Sequence, residues 1–299
     1  MDFKSSIGII DGHYLAHRAL YSQSSNLTNS KGVPTGIIFT VLKMIYSYKD
    51  LAVDLIMVFD WGRPQFRKDL LPGYKQRESN PEKEKLYEVF NQSLVLLKEI
   101  LPKMGIPVVT IKGWEGDDVI FRLSQNFIKE GKRTIVLSDD SDYSQFLNIG
   151  CEIYKPMKST WFDKEDFKTS YGYESKYFVL AHAVTGTHNN VPGIKGIGKK
   201  TVAKIINQLK KPTVEELFLW AENEPEQRLN KKILENKDLI KRNIKLVDLN
   251  IIPLTVEETS TVFNEAKKQS TPDPLFIKEK FIEWEFKSLS NILIWVCYK

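Results

Sequence analysis

Short apolar runs along the chain alternate with longer segments in which apolar residues recur every three or four positions. IGIID (Ile7–Asp11), LIMVFD (Leu55–Asp60), PVVTI (Pro107–Ile111) and TIVLSDD (Thr134–Asp140) have the aliphatic, β-branched character of buried strands. TGIIFTVLKMIYSYKDL (Thr35–Leu51) and DDVIFRLSQNFIKEG (Asp117–Gly131) carry the spacing of amphipathic helices, with Gly131 placed to end the second. This alternation predicts an α/β fold, a mainly parallel sheet flanked by helices. Two regions depart from it. From about Phe66 to Lys98 the chain is rich in Lys and Glu and holds Pro72, Gly73 and Pro81. Beyond about His182 it reads as helical, with one glycine-punctuated segment.

Composition alters that picture little. At 299 residues and 42% hydrophobic the chain can bury a sizeable core, in one large domain or two. Lys and Arg number 43 against 38 Asp and Glu, and the resulting +5 is too small to name a partner. Cys151 and Cys297 lie far apart with no CxxC pairing, which argues against zinc and for a reduced compartment. The first residues lack a basic stretch leading into a long apolar run, and no apolar stretch reaches the roughly 18 residues of a membrane span. A soluble, cytoplasmic protein is the expectation.

The acids change more. Asp11 closes the first apolar run and Asp60 the second; Glu115, Asp117 and Asp118 follow the third; Asp139, Asp140 and Asp142 follow the fourth. In an open parallel sheet the C-terminal strand ends share one edge, where ligands bind. Acids in a helix first turn gain roughly 0.3–1 kcal/mol each from the macrodipole, which accounts for one or two of them but not for the convergence. If strand geometry persists, Asp140 and Asp142 point to one side and Asp139 to the other, so Asp139 is read as structural. The remaining acids would share a rim, and packed carboxylates repel unless a cation sits among them. An all-oxygen set suits Mg²⁺ or Mn²⁺, ions that activate water and steady phosphoryl oxygens. His13 and His17 read as ordinary helix residues, and His188 as surface.

NNVPGIKGIGKKTVAKII (Asn189–Ile206) sets Gly193, Gly196 and Gly198 ahead of Lys199, Lys200 and a helical run. Such glycines permit a tight turn and close backbone approach to phosphate, and the lysines add charge. A glycine-rich turn alone is often only a connector. This fuller pattern is the helix-hairpin-helix type, which grips a nucleic-acid backbone without reading bases.

In order, IIDGHYLAHRA, VFDWGRPQFRKDLLPGYK, EGDD, SDDSDYSQ and NNVPGIKGIGKKT resemble the 5′-nuclease (flap endonuclease) superfamily, which includes bacteriophage 5′→3′ exonucleases and the 5′-nuclease domain of bacterial DNA polymerase I. KRNIKLVDL (Lys241–Leu249) resembles the helical segment after the family's hairpin. The resemblance implies a PIN-like nuclease core over residues 1–181, with a charged helical arch over about 66–98. It implies a helix-hairpin-helix region over 182–299, whose C-terminal helices pack on the core. Asp11, Asp60, Glu115 and Asp117 would hold a first metal, with Asp118 close by, and Asp140 and Asp142 a second. Lys75 and Arg67 on the arch, and Arg18, would attend the scissile phosphate. Tyr74 and Tyr14 would stack on bases or simply pack. For Lys75, Arg67 and Arg77 the plain alternative is a solvated charged helix. A K⁺ ion at the hairpin is implied as well. So are partners: DNA with a 5′ flap, nick or single-strand/duplex junction, RNA–DNA hybrids and replication proteins, met by a monomer with no membrane attachment.

Two departures qualify the resemblance. Arg77 lies two residues after Lys75, where the family spaces an Arg three residues on. The family's Gly-Asp-x-x-Asp-Asn-hydrophobic-Pro-Gly becomes Thr185–Gly193, so its two acids fall on Gly186 and Asn189. The expectation is a metal-dependent, structure-selective 5′ nuclease of flaps or RNA–DNA primers in replication or repair, with a weakened second metal site. The alternative is a pseudo-nuclease that holds branched DNA and cuts little. A carboxylate phosphatase would leave the hairpin and the charged region without purpose.

Overall fold

In the computed structural model, which describes residues 6–76, 80–268 and 270–298, the first apolar run becomes strand β1 (Ser6–Asp11). β1 pairs in parallel with β2 (Asp54–Val58) on one side and β4 (Arg133–Leu137) on the other, and β2 continues to the short β3 (Val108–Val109). The order is thus β3-β2-β1-β4. Ile9 stands between Ile56 and Val136, and all three are buried. A strand buried on both faces needs this unbroken apolar run rather than alternation.

These strands belong to the first of two compact units, residues 1–62, 78–140 and 254–299. Its helices are α1 (Gly12–Leu20), α2 (Gly36–Ser47), α4 (Pro81–Lys103), α5 (Gly116–Lys129), α12 (Val256–Lys267), α13 (Pro274–Glu283) and α14 (Ser290–Cys297). α1, α2 and α4 pack on one another, α5 packs on β1, β2 and β4, and α12 covers α5. β2, β3 and β4 end sooner than the apolar pattern predicts, whereas β1 runs to Asp11 as expected. β4 stops at Leu137 and residues Ser141–Asn148 form a 3₁₀ helix, so two-residue strand alternation does not relate Asp140 to Asp142.

The second unit, residues 63–77 and 141–253, is mainly helical. It comprises α3 (Gln65–Leu70), an antiparallel pair β5 (Glu152–Lys155) and β6 (Thr160–Phe162), α6 (Lys164–Tyr171), α7 (Phe178–Thr185), a hairpin of β7 (Gly186–Thr187) and β8 (Val191–Pro192), α8 (Lys199–Ile206), α9 (Val214–Glu222), α10 (Arg228–Glu235) and α11 (Lys237–Val247). α11 lies along α7, and the fully buried Asn243 donates to the carbonyls of Ala183 and Pro192 at 2.9 and 2.8 Å. Those carbonyls are ones that the end of α7 and the hairpin leave open, so one amide ties three elements together. The units divide the chain differently from the boundary expected at residue 181: the helical unit takes in 141–181 and 63–77. Among the described residues no helix is long and apolar enough to cross a membrane.

Candidate active site

The acids of the first unit stand where parallel strands end. Asp11, the last residue of β1, caps α1 by accepting the Tyr14 N–H at 2.9 Å. Asp60 follows β2, and its Oδ1 accepts the N–H of Gly116, the first residue of α5, at 2.6 Å. A Cβ at position 116 would lie 2.6 Å from that oxygen, so only glycine lets the carboxylate reach the helix N-terminus. Glu115 and Asp118 are 3% and 0% exposed, Asp117 is half-buried, and one carboxylate oxygen of each lies within 4.8 Å of the others. Asp117 Oδ1 also accepts the Asp118 N–H at 2.9 Å. Three carboxylates this close repel strongly in a medium poorer than water in dielectric, and α5's positive end offsets only part of that. The oxygen-only donors fit a hard divalent cation. Asp11, Asp60 and Asp140 lie on the same strand-end edge, outside this tight group.

Several supporting residues carry no motif. His13 accepts the Asp60 N–H on Nδ1 at 2.9 Å. Burial and then the charge of Lys98 push the His13 pKa down to about 4, so the ring is neutral and its 3.8 Å approach to the Asp60 carboxylate is not an ion pair. Lys98, half-buried, is drawn down by burial and held up by Asp60. Trp114, just before Glu115, donates to Glu258 at 2.9 Å, and Glu258 completes a capping box with Thr255 at the start of α12. The pattern Thr255-x-x-Glu258 carries a local capping signal, but nothing local marks its reach to Trp114. The Tyr14 hydroxyl donates to Asp139, and burial followed by that bond raises its pKa, so Tyr14 is packed rather than free to stack. Arg18 is half-buried in the last turn of α1, and its Nη1 is buried with no hydrogen-bond partner.

In the second unit the expected phosphate residues divide. Arg67 is 2% exposed, its Nε donates to the Leu246 carbonyl at 3.2 Å, and its guanidinium lies over the Phe66 and Tyr74 rings. That burial corrects the expectation of an arch residue facing phosphate. Tyr74 is 5% exposed against Val191 and Leu246, so of its two readings the packed one holds. Arg77 lies outside the described residues. Lys75 is half-buried, with its ammonium 5.5 Å from the centre of the Tyr74 ring: its N–H donates to Asn189 O at 3.1 Å, and Asn190, at φ 60°, donates to the carbonyls of Gly73 and Gln76. The β7–β8 turn thus fixes the loop that carries Lys75.

Gly186 has φ 78° and ψ 177°, a conformation essentially confined to glycine, and a Cβ there would meet Val191 O at 2.4 Å and Gly193 N at 2.5 Å. Position 186 therefore cannot carry an acid in this backbone; only position 189, half-buried, has room for one. Asp142 lines a cleft of about 1230 Å³ together with Lys155, Trp161, Lys199 and Lys200. His188 is exposed. In the hairpin, Ile194 N–H donates to Val184 O at 2.8 Å and Ile197 N–H to Ile194 O at 3.0 Å. Gly193 and Gly196 lie in this turn, Gly198 caps α8 without a side chain, and Lys199 and Lys200 are exposed in its first turn.

Residues 6–172 match the family described as 5′-3′ exonuclease, N-terminal resolvase-like domain. The chain is 32% identical over 288 residues to a 5′-3′ exonuclease of Aquifex aeolicus, spanning 94% of this chain and 92% of that one. A solved structure of T5 5′-exonuclease with zinc bound superposes with a TM-score of 0.71 at 21% identity, covering 89% of this chain and 99% of the other. The catalytic core of Rad2 in complex with DNA substrate superposes at 0.57 and 19% identity, covering 98% and 93%.

Proposed function

The chain belongs to the 5′-3′ exonuclease family, an enzyme family of nucleases, and from that premise we propose that the acidic edge of the first unit holds Mg²⁺ or Mn²⁺ for phosphodiester hydrolysis at 5′ flaps, nicks and single-strand/duplex junctions. The observation that carries this is the buried Glu115–Asp117–Asp118 group at the start of α5. Asp60, steered by the Gly116 N–H and by neutral His13, and Asp11, held by its cap, would complete the set. A divalent ion bound there supplies an activated water and neutralises charge developing on the phosphoryl oxygens. Lys75 would hold the scissile phosphate, and the unpartnered Nη1 of Arg18 offers a further donor. Arg67 would act at one remove, anchoring α3 through Leu246. Gly186 and Asn189 add no carboxylate, so a second ion would be held more weakly than the first.

The hairpin, with Lys199 and Lys200, would grip the duplex backbone, as the DNA complex of the Rad2 core suggests by analogy of fold. RNA–DNA hybrid ends would be handled by the same grip, with replication proteins as partners in the cytoplasm and the chain acting as a monomer. The pseudo-nuclease alternative gains no observation. The test is a dye-labelled 5′-flap duplex incubated with Mg²⁺, with EDTA, and with the Asp117→Asn variant. Losing a ligand to an ion worth several kcal/mol of transition-state stabilisation should slow cutting on the order of 10³-fold. Full cutting in EDTA, or by Asp117→Asn, would overturn the proposal.

A further inference from the structure

The glycine turn of the hairpin is clasped from outside by a lysine that no motif marks. Lys232 of α10 is half-buried, and its ammonium donates to the carbonyl of Lys195 at 2.7 Å. It rests directly on Gly196, the turn residue at φ 85°, where a Cβ would lie 2.8 Å from Nζ. The helix beneath is fixed by the fully buried Ile233, and Asn236 donates to the Lys232 carbonyl at 2.8 Å. An ammonium has three donors and no acceptor, so one donor is used on Lys195 and two remain together with the full charge. Among the described residues no carboxylate pairs with it, and Lys195, Lys199 and Lys200 are exposed on the same hairpin.

The resemblance implies a K⁺ ion between the hairpin carbonyls and a phosphate. This turn fits that ion poorly: a fixed ammonium already occupies a turn carbonyl, and a second monovalent cation beside it would face like-charge repulsion. We propose that Lys232 takes the place of that ion, bridging the turn backbone to a phosphate of bound DNA through its two remaining donors. This rests on the hairpin being the DNA grip. It makes duplex binding independent of which monovalent cation is present.

The test is anisotropy of a labelled flap duplex with the full chain in EDTA, in KCl, NaCl and LiCl at equal ionic strength. The unaltered protein should give Kd values within about twofold across the three salts. Lys232→Met should weaken binding about fivefold and lower the log–log salt slope by about one, as loss of one phosphate contact requires. Lys232→Arg, which keeps the charge, should stay within about threefold of the unaltered protein. Severalfold tighter binding in K⁺ than in Li⁺, an unchanged Kd in Lys232→Met, or a loss in Lys232→Arg equal to that in Lys232→Met would each overturn the inference. The ion comparison decides even if Lys232→Met fails to fold. If Lys199→Ala with Lys200→Ala abolishes binding while Lys232→Met does not, this inference alone falls; if neither weakens binding, the hairpin reading falls with it.

Discussion

Two helices in this molecule start with the same geometry and opposite decoration. α5 begins behind Glu115 with Asp117 and Asp118 in its first turn, and the Asp60 carboxylate accepts its first N–H. α8 begins behind Gly198 with no side-chain cap and with Lys199 and Lys200 in its first turn. The N-terminus of a helix favours negative charge. At α5 the chain supplies that charge itself, in excess, and the excess is what a cation would neutralise. At α8 the chain supplies none and adds two cations that oppose the dipole, an arrangement that an external anion would stabilise. On the proposed function, the first helix end would hold a metal and the second would receive a phosphate. Burial follows the same division: Glu115 and Asp118 are enclosed, whereas Lys199 and Lys200 stay in water.

The largest effect is expected at the β7–β8 turn that precedes α8. Gly186→Asp would force a side chain into the space of the Val191 carbonyl and a backbone region closed to non-glycine residues. It should cost about 3 kcal/mol of stability, read as a lower urea midpoint at constant slope. A variant as stable as the parent would mean that the β7–β8 turn adopts another backbone. A smaller effect sharpens the contrast itself. Lys199→Ala with Lys200→Ala should raise the Kd for duplex DNA about tenfold at low salt and reduce the salt slope by roughly two, equally for all sequences, with cutting at saturating DNA preserved. A sequence-dependent loss would contradict backbone gripping. The smallest effect concerns Asn189→Asp, the one position of the pair with room for an acid. It should lower the Mg²⁺ concentration for half-maximal cutting about threefold by adding one carboxylate. An unchanged metal titration would remove position 189 from any metal site.

What the sequence revealed and what it hid have different physical origins. Apolar runs ending in acids, and glycines spaced ahead of lysines, are local patterns, and they led to the strand-end edge and to the hairpin. The limits of the strands were not local. Asp60 gives its N–H to His13 rather than to a sheet neighbour, a partner 47 residues away. Arg67 looked like a surface charge beside Lys75, yet a carbonyl 179 residues later draws it inside. Gly186 looked like an acid lost from a metal site. Its φ and the carbonyl facing it make it a backbone requirement, which only the pairing of β7 with β8 reveals. Lys232 was invisible for the same reason, since nothing in α10 points to a turn 36 residues earlier.

On the proposed function, the acidic start of α5 holds the divalent ion independently of Lys199 and Lys200. Direct titration of the DNA-free protein with Mn²⁺, followed by calorimetry or by the electron paramagnetic resonance of the free ion, tests it most directly. Saturable binding should appear in the parent, survive Lys199→Ala with Lys200→Ala, and be lost when Glu115→Gln is combined with Asp117→Asn. No saturable binding in the parent, or binding that persists undiminished without those two carboxylates, would contradict the account.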